Sequence, residues 1–199
     1  MIVVQYVDNS GIRYNCRELV DEFYAAVRDD GRIDLNFVGG LTWWLGVRYT
    51  YDLATGAVSA DQEAFIDKLL EQYTMTNCNP CVLPMAVGAD LASIPLPDVP
   101  DKDIVAVYAK LVGELLYISI NTVPEIMYAL SALTRFMTRA TSQHYGYAKQ
   151  VLRYLKGVKH LKLTWCTQTV KAPFQPCQIF GFPDASWSDV KSTSCAVTT

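Results

Sequence analysis

Residues Asp101 to Gly157 read DKDIVAVYAK LVGELLYISI NTVPEIMYAL SALTRFMTRA TSQHYGYAKQ VLRYLKG. Apolar residues recur through this stretch at three- and four-residue spacing, the period of a helix with one buried face. The first helix spans about Asp103 to Ile120 and turns Ile104, Tyr108, Leu111, Leu115 and Ile118 inward. The second starts with Thr122 as N-cap, Pro124 in its first turn and Glu125 completing a capping box. It presents Ile126, Leu130, Leu133 and Met137. The third runs from about Ser142 to Lys156, buries Ala148, Val151, Leu152 and Leu155, and ends at Gly157 as a left-handed stop. His144, in its first turn, reads as a capping or packing residue rather than a phosphate contact. Three packed helices therefore form the centre of the chain.

Upstream, strands and helices mix. Met1 to Val7 is rich in β-branched residues and reads as a buried strand. Arg17 to Arg28 is an amphipathic helix that Asp29-Asp30-Gly31 ends. Leu41 to Tyr51 and Ala57 to Ala60 form a hairpin around a turn at Asp52 to Gly56. Ser59 and Gln62 make a capping box for a helix that reaches about Tyr73. Five of the nine prolines fall between Cys78 and Pro100, which reads as a linker. Downstream, Leu161 to Trp165 and Gln178 to Phe182 read as strands. The fold class is α+β.

Composition narrows the function. The 199 residues are 51% hydrophobic and 19% charged, a globular balance. No apolar run reaches the roughly 18 residues of a membrane span, and the opening residues lead to the expectation of no signal peptide. The expectation is a cytoplasmic or nuclear protein, not a secreted one, with its six cysteines reduced. Cys78 and Cys81 form a CxxC without the second pair that zinc needs, and they read as two thiols in a loop.

The net charge of −3 conceals an asymmetry. Met1 to Glu125 carries a net −10. Ile126 to Pro183 carries eight cations (Arg135, Arg139, Lys149, Arg153, Lys156, Lys159, Lys162 and Lys171) and no acid over 58 residues. Lys149, Arg153 and Lys156 share one side of the third helix. Such a face suits a polyanion, whose counterions are released on binding. A solvated helix face is the alternative.

One turn bears candidate metal chemistry. Tyr6-Val7-Asp8-Asn9 lies at a strand end before Ser10 and Gly11. On spacing alone Asp8 is a turn former. However, Tyr-Val-Asp-Asn resembles the Tyr-x-Asp-Asp box of reverse transcriptases from Ty1/copia-type retrotransposons, and further matches follow in the same order. Gly40 to Val47 resembles the family's primer-gripping hairpin. Gln62 to Met75 resembles its "Q-x-x-YI-x-x-LL" helix. Tyr108 to Tyr117 resembles "YR-x-LVGSLLYL", and Thr122 to Ile126 resembles "TRPDI". Arg135 to Met137, His144 and Ala148 to Gly157 resemble "SRFM…HW…AAKRVLRYLKGT". Phe182 to Trp187 and Lys191 to Ser194 resemble the opening of the family's RNase H domain.

The resemblance implies a layout. Residues 1–60 would be the C-terminal part of a palm, a partial sheet with its packed helix. Residues 61–85 would be a thumb-like helix and the start of the linker. Residues 86–170 would be a helical connection ending in a strand, and 171–199 the start of an RNase H-like sheet. It implies RNA-directed DNA synthesis with Mg²⁺ as cofactor and an RNA–DNA hybrid or primer-template as partner. It also implies metal ligation by Asp8, by Asn9 as a degenerate position, and by Asp184 for the RNase H-like part. Tyr6 and Trp43 would sit near the nucleotide and primer, and Lys149, Arg153 and Lys156 along the duplex. Trp43 and Trp44 point to opposite sides of a strand, so one of them is core.

Departures temper the implied activity. Asn9 replaces the second aspartate of the box, Val123 the arginine of "TRPDI", and Glu114 the serine of "LVGSL". The chain opens and closes inside strand-like sequence, so truncation at both ends is expected, with the third polymerase aspartate and the later RNase H acids lying outside it. The expectation is a chain catalytically inactive by itself. The alternative is a non-catalytic nucleic-acid-binding module, or a partner of the remaining polyprotein or of an intact polymerase, with no membrane involved.

Overall fold

A computed structural model describes residues 1–7, 9–31, 39–52, 54–165, 181–186 and 193–198, the last two stretches as backbone only. Its helices and antiparallel strands agree with the α+β class.

Helix α3 (Lys102–Asn121) is the axis of the core. Asp101 caps it, its carboxylate accepting from the amides of Asp103 and Ile104 at 2.9 and 3.2 Å. Tyr108, Leu111, Val112, Leu115 and Ile118 line one stripe and are fully buried. Three helices close over that stripe. Helix α2 (Glu63–Gln72) brings Ile66, Leu69 and Leu70, α4 (Met127–Thr134) brings Ala129, Leu130 and Leu133, and α5 (Ser142–Val158) brings Ala148, Val151, Leu152 and Leu155. Burying one such side chain contributes about 1.5–3 kcal/mol. Inside this core the Tyr108 hydroxyl donates to the Leu133 carbonyl at 2.7 Å.

Neither expected capping box around α2 and α4 forms, because their residues serve each other. The Thr122 hydroxyl donates to the Gln62 side-chain oxygen at 2.7 Å in a buried bond across 60 residues. Ser59 instead lies in a strand and bonds Thr164 at 2.9 Å. Thr122 ends α3, and a 3-10 turn (Pro124–Ile126) leads into α4. Gly157, expected as a stop, lies within α5. A Cβ there would lie 3.4 Å from Pro80, so the loop that carries Pro80 crosses the helix close to this glycine.

Among the described residues the strands make three antiparallel sheets. β1 (Ile2–Tyr6) and β2 (Asn9–Arg13) form a hairpin with Tyr6 opposite Asn9. The buried strand expected from Met1 to Val7 is exposed at every position of β1. No third strand among the described residues pairs with this hairpin, so its apolar side chains face out. Helix α1 (Arg17–Asp30) follows and ends at Gly31, whose φ of 67° is the left-handed conformation that suits glycine.

The expected strand Leu41 to Tyr51 is two strands. β3 (Trp43–Trp44) and β4 (Val47–Asp52) meet at a two-residue turn, Leu45-Gly46. Its φ values are 50° and 79°. Positive φ at both central positions is what a type I′ hairpin requires. β5 (Ala57–Asp61) pairs with β4, and β6 (Leu163–Trp165) returns from α5 to pair with β5. The sheet order β3-β4-β5-β6 therefore joins the early hairpin to the end of the helical region. β7 (Gly181–Ser186) and β8 (Thr193–Thr198) form the third sheet.

The proline-rich stretch Cys78 to Pro100 contains no helix or strand. It lies along the helices: Leu91 is buried, and Met85, Ala89 and Ile94 pack on the core.

Candidate functional site

The β1–β2 turn is the first candidate. Antiparallel pairing sets Tyr6 against Asn9, so the first and last residues of the resembled box face each other at the end of a hairpin. Val7 holds a φ of 52°, an outlying conformation for a β-branched residue. Asp8 lies outside the described residues. Asn9 and Tyr6 are exposed. Asp184 falls in β7, opposite Cys195 of β8, and its side chain lies outside what is described. Among the described residues, no group of three or more His, Cys, Asp or Glu side chains could hold a metal ion.

The elements beside the turn are aromatic. Trp43 pairs with Arg48 and is exposed, while Trp44 pairs with Val47 and is partly buried. The Trp44 ring lies against Gly11 of β2, where a Cβ would sit 3.5 Å from its Cη2 and Cζ3 atoms. Tyr117 of α3 donates its hydroxyl to the Leu45 carbonyl, and its ring meets Phe65 edge-on at 5.5 Å. Burial raises the Tyr117 pKa, and the neighbouring Tyr49 and Tyr6 hydroxyls raise it further. Sequence reading passed over Tyr117 and Gly11. The signal within reach was Gly46 inside a strand-like run, which marks a turn or bulge.

The basic face is the second candidate, and the structure gives its cations definite partners. Arg153 Nε donates to the Asn79 carbonyl at 2.7 Å. Lys156 Nζ donates to the Thr76 and Cys78 carbonyls, both at 2.6 Å. Arg139 donates to the Pro97 carbonyl at 2.8 Å. Lys159 pairs with Asp67 at 2.6 Å, which holds its ammonium pKa above the ordinary value. Lys162 lies 3.6 Å from Asp61, a buried carboxylate that also accepts from Arg48 at 3.1 Å. Lys149 sits over the Tyr145 ring at 4.5 Å. The acid-free stretch thus complements the acid-rich one within the fold.

His144 is buried in a reciprocal cap. Its Nδ1 accepts from the Thr141 amide at 3.2 Å, and its own amide donates to the Thr141 hydroxyl at 3.5 Å. Cys81 donates its thiol to the Leu83 and Gln150 carbonyls at 3.3 Å, and burial pushes its pKa up, away from reactive thiolate. No described helix is long and apolar enough to cross a membrane.

Comparison with known proteins adds to this geometry. The Retrovirus-related Pol polyprotein from transposon TNT 1-94 of Nicotiana tabacum is 27% identical over 160 residues, covering 79% of this chain and 12% of that polyprotein. An uncharacterised mitochondrial protein of Arabidopsis thaliana is 27% identical over 147 residues, covering 64% of this chain and 58% of its own. The Retrovirus-related Pol polyprotein from transposon RE2 of Arabidopsis thaliana is 32% identical over 96 residues, covering 48% of this chain and 6% of its own. The chain therefore spans only a small part of the polyproteins it resembles. No family model matches it, and no solved structure does. The chain is a relative of the Pol polyproteins of Ty1/copia-type retrotransposons and is homologous to one segment of them.

Proposed function

We propose that this chain corresponds to the part of a retrotransposon reverse transcriptase that runs from the palm's metal-binding turn to the start of RNase H, and that alone it does not polymerise. The observation that carries the reading is the pairing of Tyr6 with Asn9 at the end of an antiparallel hairpin, in a chain homologous to Pol polyproteins. A paired turn is a compact place from which acidic side chains can reach a metal. Two-ion nucleotidyl transfer needs several carboxylates around ions roughly 3.5–4 Å apart. Asp8 supplies one carboxylate. Asn9 supplies an amide oxygen without negative charge. The donor set at this turn does not fit a two-ion centre.

Grafting tests both halves of the reading. Residues Ile2 to Arg13 would replace the matching hairpin of an active retrotransposon reverse transcriptase, with Asn9 or with Asn9→Asp. The aspartate graft is expected to extend an oligo(dT) primer on poly(rA). The asparagine graft should be slower by about a hundredfold or more, because a metal ligand supplies several kcal/mol at the transition state. A folded aspartate graft without activity, or equal rates for the two, would remove the reading. Clear Mg²⁺-dependent extension by the purified chain itself would overturn its predicted inactivity.

A further inference from the structure

The β1–β2 hairpin needs something to fix its direction. It forms a sheet of its own, with no ladder to the four-stranded sheet. All of β1 is exposed, and in β2 only Gly11 and Ile12 are partly covered. The covered spot is where the Trp44 ring rests, 3.5 Å from a Cβ position on Gly11. Trp44 in turn immediately precedes the Leu45-Gly46 turn, whose positive φ at Leu45 is costly for a residue with a side chain. A bond from outside the hairpin holds that turn. The Tyr117 hydroxyl reaches the Leu45 carbonyl from α3, and Phe65 of α2 backs the Tyr117 ring.

We propose that Tyr117 is a positioning residue for the Tyr6–Asn9 turn. Its hydroxyl clamps the Leu45-Gly46 turn, the clamped turn presses Trp44 onto Gly11, and that contact sets the hairpin's angle on the helical core. Electrostatics supports the same convergence, because the Tyr6 hydroxyl lies close enough to raise the Tyr117 pKa. The functional meaning of this relay rests on the polymerase reading above, whereas its mechanics do not.

The test uses the full chain labelled with 5-fluorotryptophan. The Trp44 fluorine signal is assigned by its loss in Trp44→Phe. Tyr117→Phe removes only the hydroxyl and keeps the ring on Phe65. It is expected to shift or broaden the Trp44 signal and to speed hydrogen exchange in β2 about fivefold, the size of one lost hydrogen bond. Exchange in α5 should stay unchanged. Trp44→Ala should speed β2 exchange similarly, and the double variant should add nothing to Trp44→Ala, as coupling through one contact requires. Gly11→Ala should move the Trp44 signal in a folded chain. An unmoved Trp44 signal in Tyr117→Phe, or additive effects in the double variant, would overturn the relay. No nucleic acid enters these measurements, so a failed relay leaves the polymerase reading standing, and a failed graft leaves the relay standing.

Discussion

His144 resists protonation because its surroundings leave no room for a second proton's charge. It is buried, its ring lies 4.3 Å from that of Phe136, and its Nδ1 already accepts from the Thr141 amide. Protonating Nδ1 would set two donors against each other. Burial lowers its pKa from 6.5, with the Leu91 carbonyl opposing in part. Well above pH 6.5 the folded and unfolded states are both neutral at this site, and it contributes no pH dependence. As pH falls through 6.5 the unfolded chain takes up a proton that the folded chain resists, so stability falls as pH drops. The urea midpoint should decrease as pH falls through about 6.5, and His144→Gln should flatten that part of the profile. Glu114 gives a second residue-level outcome. Its carboxylate accepts from Tyr73 at 2.6 Å and from Gln72 at 3.1 Å, tying α3 to the end of α2. Glu114→Ala should cost about 1–2 kcal/mol by urea denaturation, and Glu114→Gln less, since an acceptor remains. Spacing placed His144 in a first turn and suggested a cap. It could not show that the partner oxygen would be Thr141. Nor could it show that Glu114, a departure from the resembled pattern, would become a tertiary anchor.

Elements were legible where one period dominates. Repeats of three and four residues located α3 and α5 to within a residue or two, because each buries a continuous stripe. Local signals failed where a distant partner outcompeted them. Thr122 and Gln62 each belonged to an expected capping box, and they bond each other instead. Leu45 sits at positive φ because a pairing and the Tyr117 bond hold it there, and neither is visible locally. The face of α5 shows the same limit. Helical spacing set Lys149, Arg153 and Lys156 on one side, but not that the loop after α2 would return to that side. Lys156 now holds two carbonyls of the loop. Lys156→Met should therefore destabilise the fold by about 1–2 kcal/mol and free the loop, seen as faster exchange from Thr76 to Cys81. Lys149→Met should change thermal stability far less, because its ammonium sits over a ring rather than between carbonyls.

Across the whole molecule, the charge asymmetry has an internal use. Of the eight cations between Ile126 and Pro183, five have hydrogen-bond or ion-pair partners among the described residues: Arg139, Arg153 and Lys156 hold main-chain carbonyls, and Lys159 and Lys162 face carboxylates. Arg135, Lys149 and Lys171 stand outside these pairings, the last beyond the described residues. Composition alone could show only that one half is acidic and the next basic. That the two halves answer each other depends on β6 pairing with β5 and on α5 packing on α2, which are contacts between residues about a hundred positions apart. The consequence is measurable. Each phosphate neutralised contributes about −0.9 to the slope of log affinity against log salt on B-form duplex. Eight available cations would give a slope near −7, and three would give about −3. Binding of this chain to a fluorescent RNA–DNA hybrid, titrated from low to physiological salt, should therefore follow the shallower line. The internal pairs should meanwhile lose little stability to salt, because the Asp61 pair is partly buried and weakly screened and the more exposed Lys159–Asp67 pair contributes little. A slope near −7 would mean that the carbonyl and carboxylate partners give way to phosphate. In that case α5 would be a duplex-binding face that the free fold keeps occupied.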